Sequence, residues 1–164
     1  TVTSATILTP VEGTVVPLAQ VKDAAFSAGI MGKGAAIEPT VGEVHAPFNG
    51  TVVTLFPTKH ALGLISDEGV ELLIHIGIDT VQLEGKYFEA FVKQGQRINK
   101  GDLLVKFDLE KINEAGYSTQ IPIIVTNSQD YQKVIATHQT SVGKKDPLLT
   151  TVAAQDTTLV VNPI

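Results

Sequence analysis

The chain has 164 residues, 43% hydrophobic and 18% charged, a composition that collapses into one domain of ordinary size instead of staying disordered. Seventeen acidic against twelve basic residues leave a net charge of −5, which argues against a nucleic-acid surface and for a basic or electropositive protein partner. The absence of cysteine excludes disulfide frameworks and thiolate chemistry, a cytoplasmic setting being expected, and no apolar run reaches the roughly 18 to 20 residues of a membrane span.

In chain order, short β-branched runs bounded by glycine and proline predict strands at Gly13 to Leu18, Gly50 to Phe56 and Val70 to Ile76. Lys86 to Lys93 has helical spacing for two turns before a glycine. A strand at Leu103 to Asp108, a two-turn helix at Leu109 to Ala115 and a strand at Ile121 to Val125 follow. Many short strands and few helical turns predict an all-β antiparallel sandwich or barrel. No linker-like stretch divides the sequence, so residues 1–164 read as one domain. The start at Thr1 instead of Met is expected of an excised domain or a trimmed chain, and the N-terminus lacks the regions of a signal peptide.

Pro10-Val11-Glu12-Gly13-Thr14-Val15-Val16 recurs as Pro47-Phe48-Asn49-Gly50-Thr51-Val52-Val53, an offset of 37 residues. Two related turn-plus-strand units would produce this echo, and so would coincidence among common turn residues. Gly95 to Asp102, before Leu103-Leu104-Val105, is a third partial relative.

Two of the four histidines invite chemistry. Strand alternation puts Val70, Leu72, Ile74 and Ile76 on a core face, leaving Glu71, Leu73 and His75 on the other. A hairpin through Ser66-Asp67-Glu68-Gly69, counted symmetrically outward, sets His60 opposite His75. A neutral imidazole is a nucleophile near neutral pH and a second can donate to developing charge, which suits phosphoryl transfer through a phosphohistidine. Thr58 is placed to orient His60, and the Gly77 carbonyl to hold the other nitrogen of His75. His45 and His138 read as structural or solvated.

Two other chemistries stay open at this point. His75-Ile76-Gly77-Ile78-Asp79 carries the H-x-G-x-D pattern of lysostaphin-type zinc peptidases, and with His60 it supplies three ligands, although the H-x-H pair of those enzymes is missing. Adventitious zinc at His60 and His75 is also compatible. Glu43 to Val52 and Gly95 to Val105 are similar to biotinyl and lipoyl carrier domains, but neither carrier lysine motif occurs; the single methionine, Met31, precedes Gly32-Lys33-Gly34.

Phe26 to Pro39, Val44 to Gly50, Thr58-Lys59-His60-Ala61, His75 to Val81, Gly95 to Asp108 and Ile121 to Asn127 together resemble the glucose-family enzyme IIA domain of the bacterial phosphoenolpyruvate-dependent sugar phosphotransferase system. The resemblance covers about residues 5–152 and leaves 153–164 as a tail or linker remnant. It implies a β-sandwich built as a duplicated hybrid motif. It also implies a relay in which His75, through Nε2, accepts phosphoryl from the phosphocarrier HPr and passes it to a cysteine of a IIB domain, with sugar uptake as the outcome. His60 would stabilise the transferring group, Thr58 support His60, Gly77 hold His75 and Asp79 lie at the site's edge. Phe26, Ile30, Met31, Phe56, Leu73 and Val81 would form an apolar docking ring. No cofactor, required metal, nucleic acid or membrane insertion is implied, and regulatory protein targets are further partners of such domains.

Overall fold

The computed structural model describes residues 2–154. The strands are β1 (Ala5–Leu8), β2 (Gly13–Pro17), β3 (Lys33–Pro39), β4 (Glu43–His45), β5 (Gly50–Leu55), β6 (Ala61–Ser66) and β7 (Glu71–His75). They continue as β8 (Phe88–Ala90), β9 (Arg97–Ile98), β10 (Leu103–Phe107), β11 (Ile121–Val125), β12 (Lys133–Ala136), β13 (Ser141–Val142) and β14 (Pro147–Val152). Two short helices, α1 (Ala24–Ser27) and α2 (Leu109–Glu114), interrupt them. All pairings are antiparallel, and the five expected strands form within a residue or two of their expected limits.

An eight-stranded sheet runs β13-β2-β3-β11-β7-β6-β5-β9, and two three-stranded sheets run β1-β14-β12 and β4-β10-β8. One apolar cluster joins the inner face of the large sheet, through Ile37, Val52, Leu62, Leu64, Leu72, Ile74, Ile121 and Ile123, to Ile7, Leu148 and Leu149 on one small sheet and Val44, Leu104 and Val105 on the other. That is the interior of a sandwich. A smaller cluster of Val21, Phe26, Ala36, Ile78 and Ile124 covers part of the large sheet's outer face, with Leu73 packed against it.

The 37-residue echo is a real duplication. Leu8 N–H donates to the Pro47 carbonyl and His45 N–H to the Pro10 carbonyl, two bonds exchanged by that offset. Thr9 N–H to the Asp146 carbonyl and Ala46 N–H to the Asp102 carbonyl form a second couple, both at 2.8 Å, with donors 37 residues apart and acceptors 44 apart. The third partial relative therefore has its own twin: Asn99 N–H is capped by Asp102 Oδ2 just as Gly143 N–H is capped by Asp146 Oδ2. Gly13 and Gly50 are also equivalent, since a Cβ on either would lie about 2 Å from a carbonyl oxygen of the neighbouring strand, Glu38 or Ile65.

Register extends the equivalence to the sheet centre. Val15 pairs with Ile37 and Val52 with Leu64, so Ile37 corresponds to Leu64. Those two pair with Ile121 and Leu72, which makes Ile74 the counterpart of Ile123, and these face each other across the β7–β11 seam. The same steps match His75 with Ile124 and His60 with Lys33.

Two expectations fail. Lys86 to Lys93 is no helix: Tyr87 takes φ 77°, outside the right-handed region, and β8 pairs Phe88 and Ala90 with Phe107 and Val105 of β10. The aromatic spacing was that of a short half-buried strand. Ala153, placed at the start of the tail, is fully buried and donates its N–H to Ser4 Oγ at 2.8 Å. The rest of the expected tail, from residue 155, lies outside the described residues.

Candidate functional site

His75 ends β7 on the outer face, as the alternation requires, with Leu72 and Ile74 buried on the inner face. The hairpin register is one residue off the symmetric count, since His75 pairs with Ala61, not His60. Ser66 remains paired, donating its N–H to the Val70 carbonyl while its hydroxyl accepts from Val70 N–H, so the connecting turn is Asp67 to Gly69.

The rings nevertheless meet. His60 lies next to Lys59, which closes the β5–β6 turn at φ 63° with its N–H donating to the Phe56 carbonyl at 2.7 Å. This left-handed residue breaks the alternation just before β6, so His60 reaches the outer-face ring instead of pointing into the sandwich. The two imidazole centroids are 5.0 Å apart at 82°.

Each imidazole is tethered through Nδ1. His75 Nδ1 is 2.7 Å from the Gly77 carbonyl oxygen, and His60 Nδ1 is 2.7 Å from Thr58 Oγ1. A carbonyl only accepts, so Nδ1 of His75 carries the hydrogen and Nε2 keeps its lone pair. Gly77 presents that carbonyl from φ 83°, where a Cβ would stand 2.5 Å from Thr80 Cγ2 and 3.0 Å from the Ser118 carbonyl. The loop is braced by Thr80, whose hydroxyl donates to the Ile76 carbonyl, and by Ile78 N–H, which donates to Ser118.

Burial disfavours the charged form of both rings. His60, 3% exposed, is pushed down to about 4 by desolvation and then by the neighbouring His75. His75 is also lowered, by desolvation first, against the opposing pull of the Gly77 carbonyl, Asp23 and Asp79. At neutral pH the pair is thus two neutral imidazoles at right angles, one offering a nucleophilic nitrogen.

Thr58, His60, His75 and Gly77 come together as expected, and Asp79 lies exposed at φ 60° beside them. Ile30, Met31, Phe56 and Val81 are exposed. Phe26 is not on the surface: it is 5% exposed and packs against His75, with ring centroids 5.0 Å apart at 56°. Leu73 is half-buried against the outer cluster. Phe56 meets His60 edge-on at 5.4 Å. Among the described residues no three His, Cys, Asp or Glu side chains gather as metal ligands, so the His60, His75 and Asp79 set of the peptidase alternative does not assemble. Lys33 opens β3 and sits at no hairpin tip. His45 is held by Glu43 Oε1 at 2.9 Å and the Gly101 carbonyl at 3.1 Å, and His138 is exposed.

Sequence reasoning missed Asp23. Its carboxylate caps α1 by accepting from Ala25 N–H at 2.9 Å and bears electrostatically on His75. An aspartate directly before Ala24-Ala25-Phe26 was a readable helix-start signal.

The sequence profile of the family described as phosphoenolpyruvate-dependent sugar phosphotransferase system, EIIA 1, matches residues 5–131. The chain is 49% identical over 143 residues to the "PTS system beta-glucoside-specific EIIBCA component" of Halalkalibacterium halodurans, covering 87% of this chain and 22% of that protein. It is 56% identical over 125 residues to the component of the same name in Bacillus subtilis, covering 76% and 20%. The chain thus spans about a fifth of the length of these relatives. Among solved structures, the glucose permease IIA from Mycoplasma capricolum superposes with a TM-score of 0.82 at 40% identity, covering 90% of this chain and 95% of that one.

Proposed function

Since the chain belongs to the EIIA 1 family of the phosphoenolpyruvate-dependent sugar phosphotransferase system, and so is a component of a phosphotransferase, we propose that His75 is its phosphoryl acceptor, charged by phospho-HPr and discharged to a cysteine of a IIB domain. The observation that carries this reading is the 2.7 Å tether from His75 Nδ1 to the Gly77 carbonyl, which fixes the hydrogen on Nδ1 and leaves Nε2 as the attacking atom beside the His60 ring.

In the first step a bond forms between Nε2 and phosphorus while the donor's nitrogen–phosphorus bond breaks. His75 has no proton to shed. In the second, a thiolate sulfur attacks phosphorus and the electron pair of the breaking bond returns to Nε2. Charge spreads over the three equatorial oxygens in both transition states, and positioned donors meet it. In this reading Thr58 donates its hydroxyl hydrogen to His60 Nδ1, 2.7 Å away, which puts the hydrogen of His60 on Nε2 as that donor. Because His60 is pushed down to about 4, it donates as a neutral ring. A neutral donor lowers both barriers without locking the phosphorylated state in an ion pair.

Exposed Ile30, Met31, Phe56 and Val81, with the accessible part of Leu73, suit a small apolar contact that excludes water and then separates. The names of the relatives place B and C components in one chain with A, and on that analogy residues 5–152 act as a single IIA unit beside a IIB domain and a sugar permease. Such a unit would work at the cytoplasmic face of the membrane.

Incubation with phosphoenolpyruvate, enzyme I and HPr tests the assignment. The expected product carries one acid-labile, alkali-stable phosphoryl group on the peptide containing His75, which moves to cysteine on addition of a IIB domain. A label on His45, His138 or a hydroxyl residue overturns it.

A further inference from the structure

We infer that Phe26 is a positioning residue for the His75 ring, a buried aromatic wall delivered by the β2–β3 connection, and not a member of the docking surface. The inference rests on His75 being the reacting group, as proposed above.

A side chain that is 5% exposed offers a partner almost no contact area, whereas Ile30, four residues further on, is 80% exposed. Phe26 is fixed from several sides. Asp23 caps the single turn of α1, and Phe26 N–H and Ser27 N–H both donate to the Asp23 carbonyl. The aromatic ring packs with Val21, Ala36, Ile78 and Ile124 on the outer face of the sheet. The chain returns into β3 at Gly32, φ 134°, where a Cβ would lie 2.3 Å from the Val125 carbonyl.

What Phe26 holds needs holding. The outer torsion of a histidine is broad and roughly two-fold, and one hydrogen bond at Nδ1 leaves the ring free to swing about that contact. His60 meets the ring edge-on at 5.0 Å, and Phe26 meets it at 5.0 Å and 56°. Together with the Gly77 tether these contacts define a plane for the imidazole and hence a line of attack for Nε2. The charged groups bearing on His75 are Asp23 before α1 and Asp79 after Gly77, and a change at Phe26 removes neither. Phe56 is the natural contrast, because it touches His60 from a side chain that is 39% exposed.

The test compares Phe26→Leu, which keeps apolar bulk and removes the ring plane, with Phe56→Leu. Steady-state transfer from phospho-HPr should show kcat reduced about tenfold in Phe26→Leu with KM changed by less than about twofold, since small misplacements of reacting groups act on the rate. Phe56→Leu, at the exposed contact, should raise KM by more than Phe26→Leu does. Nitrogen NMR of the free, unphosphorylated protein should show the Nδ1–H signal of His75 sharp in the parent and broadened, with a visible Nε2–H population, in Phe26→Leu. A raised KM at unchanged kcat, or an unchanged His75 signal, in Phe26→Leu overturns the inference. If that variant loses the amide dispersion of the fold, Phe26→Met is read by the same criteria. The NMR arm needs no partner, so a label mapped elsewhere than His75 would sink the relay assignment while the ring-ordering result stood by itself.

Discussion

The two halves of the large sheet are built alike and furnished differently. Near one end of the pseudo-symmetric pair of hairpins stand His60 and His75; at the matching positions of the other half stand Lys33 and Ile124. The strands correspond, and so do the registers apart from a bulge between Val52 and Thr54 of β5 that β2 lacks, and that one bulge does not by itself account for the contrast. The connections do. β5 and β6 are joined by the tight turn through Lys59, which leaves the end of β7 uncovered and swings His60 towards it. β2 and β3 are joined by residues 18–32, which fold over the outer face, bury Ile124 and carry Phe26 to the flank of His75. Duplication supplied a similar platform twice, and unequal loops gave one copy the paired histidines and the other a covering connection.

The sharpest way to break this comparison is to remove the proposed nucleophile from one half only. His75→Gln should abolish phosphoryl acceptance, measured as acid-labile label, whereas Ile124→Val at the matching position should leave it within about twofold of the parent, the cost there being one buried methylene. Labelling of His75→Gln at the parent rate would dissolve the asymmetry. Next in size is His60→Gln, which keeps an amide donor in place of an oriented imidazole. Single-turnover transfer should slow by roughly 10² to 10³ while acceptance persists, and an unchanged rate would reduce His60 to packing.

Gly77→Ala probes the loop that turns β7 away from the course of its twin. The new Cβ meets Thr80 Cγ2 at 2.5 Å from a left-handed backbone, so urea unfolding should show a loss of about 1 to 3 kcal/mol. Thr126→Ala, at the corresponding exposed position after β11, should cost within about 0.5 kcal/mol. Equal losses would mean that the two strand ends are not distinguished by strain. The smallest effect is a slope. His60 sits at about 4 and His75 is also lowered, against an unfolded value near 6.5, so the unfolded chain binds more protons in the intervening window. Stability should therefore rise from about pH 4 to about pH 6.5 and be lost again on acidification. In His60→Gln the slope should flatten, as read from urea midpoints across that range.

The sequence displayed the contacts that lie close along the chain. Thr58 with His60 and His75 with Gly77 are two residues apart, and β7 declared its two faces by strict alternation. Signals failed where a fold-back decided the outcome. Phe26 looked like a surface member of an apolar set because nothing within α1 shows that the β2–β3 connection lies down on the outer face. The symmetric hairpin count missed by one because Ser66 stays in the ladder, and Lys59 then restored the meeting of the two rings by a conformation that lysine spelling does not announce. The duplication was visible at Pro10 and Pro47, where glycine is sterically compelled, and hidden between Arg97 and Ser141, where turn chemistry tolerates many residues and only Lys100 with Asp102 matches Lys144 with Asp146.

β1 and β14 close the small sheet that carries both ends of the described chain, and the bond between Ala5 N–H and Thr151 Oγ1 spans 146 residues. During synthesis β1 therefore has no strand to pair with until almost the whole domain has been made, and its open edge is in need of protection from other chains. Loop-closure entropy places this pairing late, so the folding rate should fall in the millisecond-to-second range of non-local β proteins. The residues around His75, drawn mainly from hairpins local in sequence, are in position to assemble before that final seam is sewn.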